Sequence, residues 1–150
     1  MKVVAEKIPF PRPNQNGQNR DFGKLSKACH VLIVDDKQDN LLILKTLLER
    51  AGATTDSAKN GEYAVELCNS ESYDLIMMDL AMPVLNGLEA TEIIRRETPN
   101  SSTPIIAVTA DVSQHVKENC IKVGMNGYIS KPLYPNNLLQ EIERVLSEAS

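Results

Sequence analysis

The chain has 150 residues, 42% apolar and 24% charged, with a net charge of −4, proportions that suit one soluble globular domain rather than two sizeable cores. No apolar run approaches the roughly 18 residues that span a bilayer, and no apolar block with a cleavage site follows Lys2, so neither a membrane segment nor a signal peptide is expected and the location reads as cytoplasmic. Three cysteines, Cys29, Cys68 and Cys120, odd in number and unevenly spaced, argue against a disulfide framework or a thiolate zinc site and read as small buried hydrophobes.

The charge is unevenly divided. Residues 1–28 carry six Lys/Arg against two Asp/Glu, whereas residues 29–150 carry ten against eighteen. So acidic a body argues against direct binding of nucleic acid by the folded part. Pro9, Pro11 and Pro13 precede the polar run Asn14 to Asn19, so residues 1–28 read as a flexible, polar and basic N-terminal arm or linker, and residues 29–150 as the domain.

His30 to Val34 is an apolar, β-branched-rich run, a first strand that ends in Asp35-Asp36. Leu41 to Arg50 follows as a helix with Leu41, Leu44 and Leu48 on one face, stopped by Gly52. Ala53 to Ala58 is a more polar strand, expected nearer a sheet edge. Asn60 caps a helix through Asn69 that turns Ala64, Val65 and Cys68 inward. Tyr73 to Asp79 is a strand buried on both faces, and a turn with Pro83 and Asn86-Gly87 leads from it into a helix ending near Glu97. Pro104 to Thr109 is another buried strand, with proline at the one position that tolerates it. Asp111 and Gln114 predict a capping box for a helix that aligns Val112, Val116, Cys120 and Val123 and stops at Gly124. Gly127 to Ser130 is a short last strand before Lys131-Pro132, and Pro135 opens a final helix with Leu138, Leu139, Ile142, Val145 and Leu146 on its apolar side. Strands alternating with helices through short connections predict an α/β fold, a doubly wound five-stranded parallel sheet with five helices covering both faces.

The C-terminal ends of the strands hold the chemistry. In a parallel sheet those ends converge on one edge, where ligands of open α/β folds bind. Asp35 and Asp36, Asp79, Thr109 and Lys131 all fall there. Each alone has a bland reading: a turn-capping Asp, a β-branched strand residue, a solvated Lys. Together they form a coherent set. Clustered carboxylates repel unless a cation joins them, and hard oxygen donors favour Mg²⁺. A carboxylate beside such an ion can attack a phosphoryl group to give an aspartyl phosphate, with a Lys and a hydroxyl on the transferring oxygens. His30 and His115 lie away from the strand ends and read as surface or strand-edge residues.

Val31 to Asp36, Met78 to Pro83 with Asn86-Gly87, Val108-Thr109-Ala110 and Lys131-Pro132 together resemble the receiver domain of two-component response regulators, over about residues 29–148. The segments Val34 to Asn40 and Met82 to Arg96 look most like receivers attached to hybrid sensor histidine kinases. The resemblance implies a flavodoxin-like receiver fold and assigns roles by position. Asp79 matches the phosphoacceptor, which takes its phosphoryl group from a phosphohistidine on a histidine kinase or histidine phosphotransfer protein. Asp36 matches the acid that binds Mg²⁺ directly, Asp35 its neighbour acting through water, and the backbone carbonyl of Ala81 the third protein ligand, with Mn²⁺ able to substitute. Lys131 matches the lysine that pairs with the phosphoryl group, with Pro132 at a cis-proline position. Thr109 matches the switch hydroxyl and Tyr128 the aromatic that follows it. One departure is Asn86, where Asp often precedes the glycine, a change expected to touch the turn more than the chemistry.

The expected function is therefore a phosphoacceptor that catalyses its own phosphorylation and slow dephosphorylation, Leu80 and Ala81 tuning the latter. It exchanges partners, or forms a homodimer, through the fourth helix, fifth strand and fifth helix. Three other functions compete with this one. A metal-dependent aspartyl-phosphate phosphatase or phosphotransferase of the haloacid dehalogenase type usually places a second Asp two residues after the nucleophile, where Ala81 stands. A flavodoxin-like cofactor binder needs a phosphate-cradling loop after the first strand, where Asp35-Asp36 repels phosphate. The third is a receiver used only as an interaction module.

Overall fold

The computed structural model of the chain describes residues 23–149, so residues 1–22 of the predicted arm lie outside the described residues. Among the described residues five strands and five helices alternate: β1 (His30–Val34), α1 (Gln38–Arg50), β2 (Thr54–Ala58), α2 (Gly61–Ser70), β3 (Leu75–Asp79), α3 (Gly87–Glu97), β4 (Ile105–Thr109), α4 (Gln114–Lys122), β5 (Gly127–Ser130) and α5 (Pro135–Ala149). Every strand pair is parallel, in the order β2-β1-β3-β4-β5. This is the doubly wound α/β sheet that the sequence predicts.

Strand side chains alternate faces, and that alternation divides the core in two. Val31, Ile33, Leu75, Met77, Ile106, Val108 and Ile129 meet Leu41, Leu44 and Leu48 of α1 and Leu138, Ile142 and Val145 of α5. Leu32, Val34, Ile76, Met78, Ile105 and Ala107 meet Ala64 and Cys68 of α2, Ala90 and Ile94 of α3 and Cys120 of α4. β3 and β4 have neighbours on both sides and helices on both faces, so all five residues of each are buried. β2 pairs only with β1, and its sequence Thr-Thr-Asp-Ser-Ala is polar accordingly.

Two element starts differ from the sequence reading. α1 begins at Gln38, three residues before Leu41, and Lys37 at its N-cap makes no side-chain capping bond. The turn is held instead by Asp35, whose Oδ1 accepts the Lys37 N–H at 2.9 Å. At α4 the capping residue is Ser113, not Asp111: Ser113 Oγ accepts the Val116 N–H at 3.3 Å, while Asp111 Oδ1 accepts the Ser113 N–H at 3.0 Å. Asp111 shapes the approach to the helix, and Val112, expected on the inner stripe, is 47% exposed before its first turn.

Residues 23–28, at the foot of the predicted arm, carry neither helix nor strand but lie against the domain. The Leu25 N–H donates to Ala51 O at 2.9 Å, and the Leu25 side chain packs on the core beneath α1 and α5. The Ser26 N–H and hydroxyl donate to the Glu143 carboxylate at 2.9 and 3.0 Å.

Candidate functional site

The backbone ladder continues past the strand ends and fixes the residues that follow. Asp35 N–H donates to Ala58 O at 3.1 Å, Leu80 N–H to Val108 O at 3.4 Å and Lys131 N–H to Thr109 O at 2.8 Å. Asp35, Asp79, Thr109 and Lys131 are thereby set side by side along one sheet edge. The loop after Asp79 folds back on the strand, with the Gly87 N–H on Leu80 O at 3.0 Å. A Cβ at position 87 would run into the Asp79 backbone carbonyl, so glycine is required by close approach. Asn86 then caps α3 in a reciprocal box: its Oδ1 accepts the Glu89 N–H at 2.9 Å and Glu89 Oε1 accepts the Asn86 N–H at 3.0 Å.

Asp35 and Asp79 are 1% and 3% exposed, a burial that carboxylates rarely have without partners. Lys131 Nζ supplies one, at 3.2 Å from Asp79 Oδ1 and 3.4 Å from Asp35 Oδ2. The Lys131-Pro132 bond is cis. Burial, then repulsion from Asp35, pushes the Asp79 carboxyl above the usual range, opposed by Lys131 and a backbone bond from Ala81. On Lys131 burial works against the charge, but attraction to Asp79 and Asp35 wins and its ammonium is held above its ordinary value.

Three carboxylates face one ammonium here, so the cluster is short of positive charge. Asp35, Asp36 and Asp79 each offer an oxygen, all within 4.8 Å of one another. Asp35 spends its oxygens on the Lys37 N–H and Lys131. Asp36 Oδ1, by contrast, is buried without a hydrogen-bond partner. A buried carboxylate oxygen without a donor is costly, and a cation beside it removes that cost. The donor set is oxygen only, which fits a hard divalent ion.

The other predicted residues are placed differently. The Thr109 hydroxyl, at the next strand end, accepts the Asp111 N–H at 3.0 Å and lies 3.4 Å from Asp111 O. Tyr128 sits on β5, half-buried, with Lys117 Nζ 4.8 Å from its ring centroid. Ala81 is exposed in the loop after Asp79. His30 pairs with Asp56 at 3.3 Å and His115 is exposed on α4, neither of them part of the Asp35, Asp36 and Asp79 cluster. Burial raises the Cys29 and Cys68 thiols to about 11 and about 12, which leaves them protonated and inert. One feature of the loop had no signal in the sequence: Val84, 78% exposed, has a φ of 71°, a conformation that β-branched residues rarely adopt.

The family model of the response regulator receiver domain matches residues 31–143. The chain is 40% identical over 120 residues to the sensor protein GacS of Pseudomonas syringae pv. syringae, covering 78% of this chain and 13% of that protein. It is 34% identical over 142 residues to histidine kinase 5 of Arabidopsis thaliana, covering 77% of this chain and 15% of that one. The chain thus spans only a small part of the curated relatives it matches. Among solved structures, the receiver domain of a Pseudomonas aeruginosa sensor histidine kinase, with a magnesium ion coordinated in its active-site cleft, superposes with a TM-score of 0.73 at 33% identity, covering 81% of this chain and 99% of that one.

Proposed function

We propose that this chain, which belongs to the response regulator receiver family of two-component systems, accepts a phosphoryl group on Asp79 from a phosphohistidine of a histidine kinase or histidine phosphotransfer protein. The observation that carries the reading is the meeting of Asp35, Asp36, Asp79 and Lys131 at one sheet edge, with Asp36 Oδ1 buried and unpartnered.

In this reading a carboxylate oxygen of Asp79 attacks phosphorus, an O–P bond forms, the P–N bond breaks, and the phosphohistidine ring, protonated on its other nitrogen, departs with the bonding pair as neutral imidazole. Burial of Asp79 excludes water from its flanks, and its elevated basicity favours attack. Lys131, already on Asp79, follows the charge onto the phosphoryl oxygens. Asp36 offers its free oxygen to Mg²⁺ or Mn²⁺, with the Ala81 carbonyl and Asp79 as further ligands, while Asp35 orients Lys131 and the turn after β1. When bound, the ion supplies positive charge to the transferring oxygens. Thr109 leaves Asp111 for the phosphoryl group, Tyr128 follows, and the α4–β5–α5 face changes its affinity for partners, a second copy among them.

Transfer from a phosphorylated histidine kinase domain tests this. Label is expected on the wild type in Mg²⁺, lost in EDTA and in Asp79→Asn, and reduced in Asp36→Asn. Equal labelling of Asp79→Asn would overturn it. A parallel melt separates binding from chemistry: Mg²⁺ should raise the Tm of the wild type and not that of Asp36→Asn.

A further inference from the structure

Two cavities flank Tyr128 in the groove between α4 and α5. One, of about 700 Å³, includes Val112, Ser130 and Asn137 in its lining; the other, of about 460 Å³, includes Cys120, Ile121 and Met125. Lys117, Tyr128, Glu141 and Arg144 line both, so they lie where the two adjoin. There the two halves of Tyr128 are held differently. Its backbone N–H is fixed to α5 through Glu141 Oε2 at 3.0 Å, and Glu141 is itself held by Arg144 at 2.9 Å. Its ring is held from α4, by the Lys117 ammonium 4.8 Å from the centroid.

We propose that Lys117 is a positioning residue that keeps the Tyr128 ring as a partition across the α4/α5 groove, and that loss of its contact joins the two cavities and opens the groove as far as Cys120. This extends the reading of Tyr128 as the reporter of the site. The balance is a fine one because α4 is weakly anchored: Cys120 is its one fully buried residue. A cation–π contact between two half-buried side chains is a small interaction, but on a loosely held helix it is enough to move a population by about two- to fivefold. Lys117 has the groove to move into and the ring has a cavity on either side, so displacement needs no repacking of the sheet.

Cys120 gives the readout. Cys120, 4% exposed as a residue, lines the smaller cavity, while Cys29 and Cys68 are buried elsewhere and report on general loosening. The rate of alkylation by N-ethylmaleimide, resolved per cysteine by peptide mass, is measured on the full chain with and without Lys117→Met. The expected result is Cys120 labelling about two- to fivefold faster with Cys29 and Cys68 unchanged, and restored to the wild-type rate by Lys117→Arg, which keeps the cation over the ring. Tyr128→Ala should speed Cys120 as well, and Lys117→Met should then add nothing, since the two act through one contact. An unchanged Cys120 rate in Lys117→Met, a common rise at all three cysteines, or additive effects of the two substitutions would each overturn the proposal. The comparison runs on unphosphorylated protein and repeats in Asp79→Asn, so failure of phosphotransfer and failure of the partition are told apart.

Discussion

Asp79 is buried beside Asp35, and its charge is tolerated through Lys131 and a backbone bond from Ala81. Its carboxyl pKa is raised by folding, so in metal-free buffer its contribution to stability is present below the ordinary carboxylate range and is lost as pH rises through the elevated value. Asp79→Asn is therefore expected to be more stable than the wild type at neutral pH without divalent ions, and urea midpoints should show that gap closing as pH falls into the acid range. A gap that widens on acidification contradicts this. Val84 holds a second local strain: at φ 71° its β-branched side chain is disfavoured, and Val84→Asn is expected to stabilise the fold by about 1 kcal/mol, read as a higher urea midpoint. These two residues differ in how far the sequence exposes them. Asp79 is legible because it closes a buried apolar run in a chain whose other strand ends carry Asp35, Asp36, Thr109 and Lys131; alone it reads as a turn-capping Asp. Val84 is not, since valine is a strand former and the conformation is imposed by the loop folding back through Gly87.

Elements were legible where one apolar face or one cap decides them, and less so where a contact distant in sequence does. Asn60 and Asn86 cap α2 and α3 as their residue type suggests, accepting from Tyr63 and Glu89. Asn86→Ala should cost about 1 kcal/mol, with the added penalty of freeing Glu89, and circular dichroism melts measure it. The start of α1 escaped because its turn is held by Asp35 from the strand before it, and the α4 cap because Asp111, Ser113 and Gln114 offered two overlapping capping patterns. Asn100 is a third case, invisible in sequence within a polar turn. It is 2% exposed, its Nδ2 donates to Cys68 O and Glu71 O at 2.7 Å each, and its Oδ1 accepts from Tyr73 N–H and Thr103 hydroxyl at 2.9 Å each. It ties the end of α2 to the entry of β3. Asn100→Ala leaves buried backbone groups unpaired and is expected to lower stability by roughly 2–4 kcal/mol in urea unfolding, more than any surface substitution on α2.

At the scale of the molecule, the parallel sheet gathers onto one edge groups that are 96 residues apart in sequence, Asp35 and Lys131, and no local pattern predicts that they touch. The topology supplies the meeting: alternating elements with right-handed crossovers point to a parallel sheet, and the structure gives its order, β2-β1-β3-β4-β5. The foot of the arm was harder to read: Leu25 and Ser26 belong to a polar stretch, yet they bind Ala51 and Glu143 across the gap between α1 and α5. Leu25→Ala should lower stability by about 1–2 kcal/mol, a loss that a free linker would not show. In the proposed function the partner surfaces and the switch all depend on one chemical event. The most direct measurement of that event is intact mass after incubation with acetyl phosphate, with and without Mg²⁺, beside Asp79→Asn. Gain of a single phosphoryl group in Mg²⁺ alone, absent from the variant, is the outcome expected of a receiver whose acceptor is Asp79. An adduct of equal yield in Asp79→Asn, or none even after exposure to a phosphorylated histidine kinase domain, would contradict it.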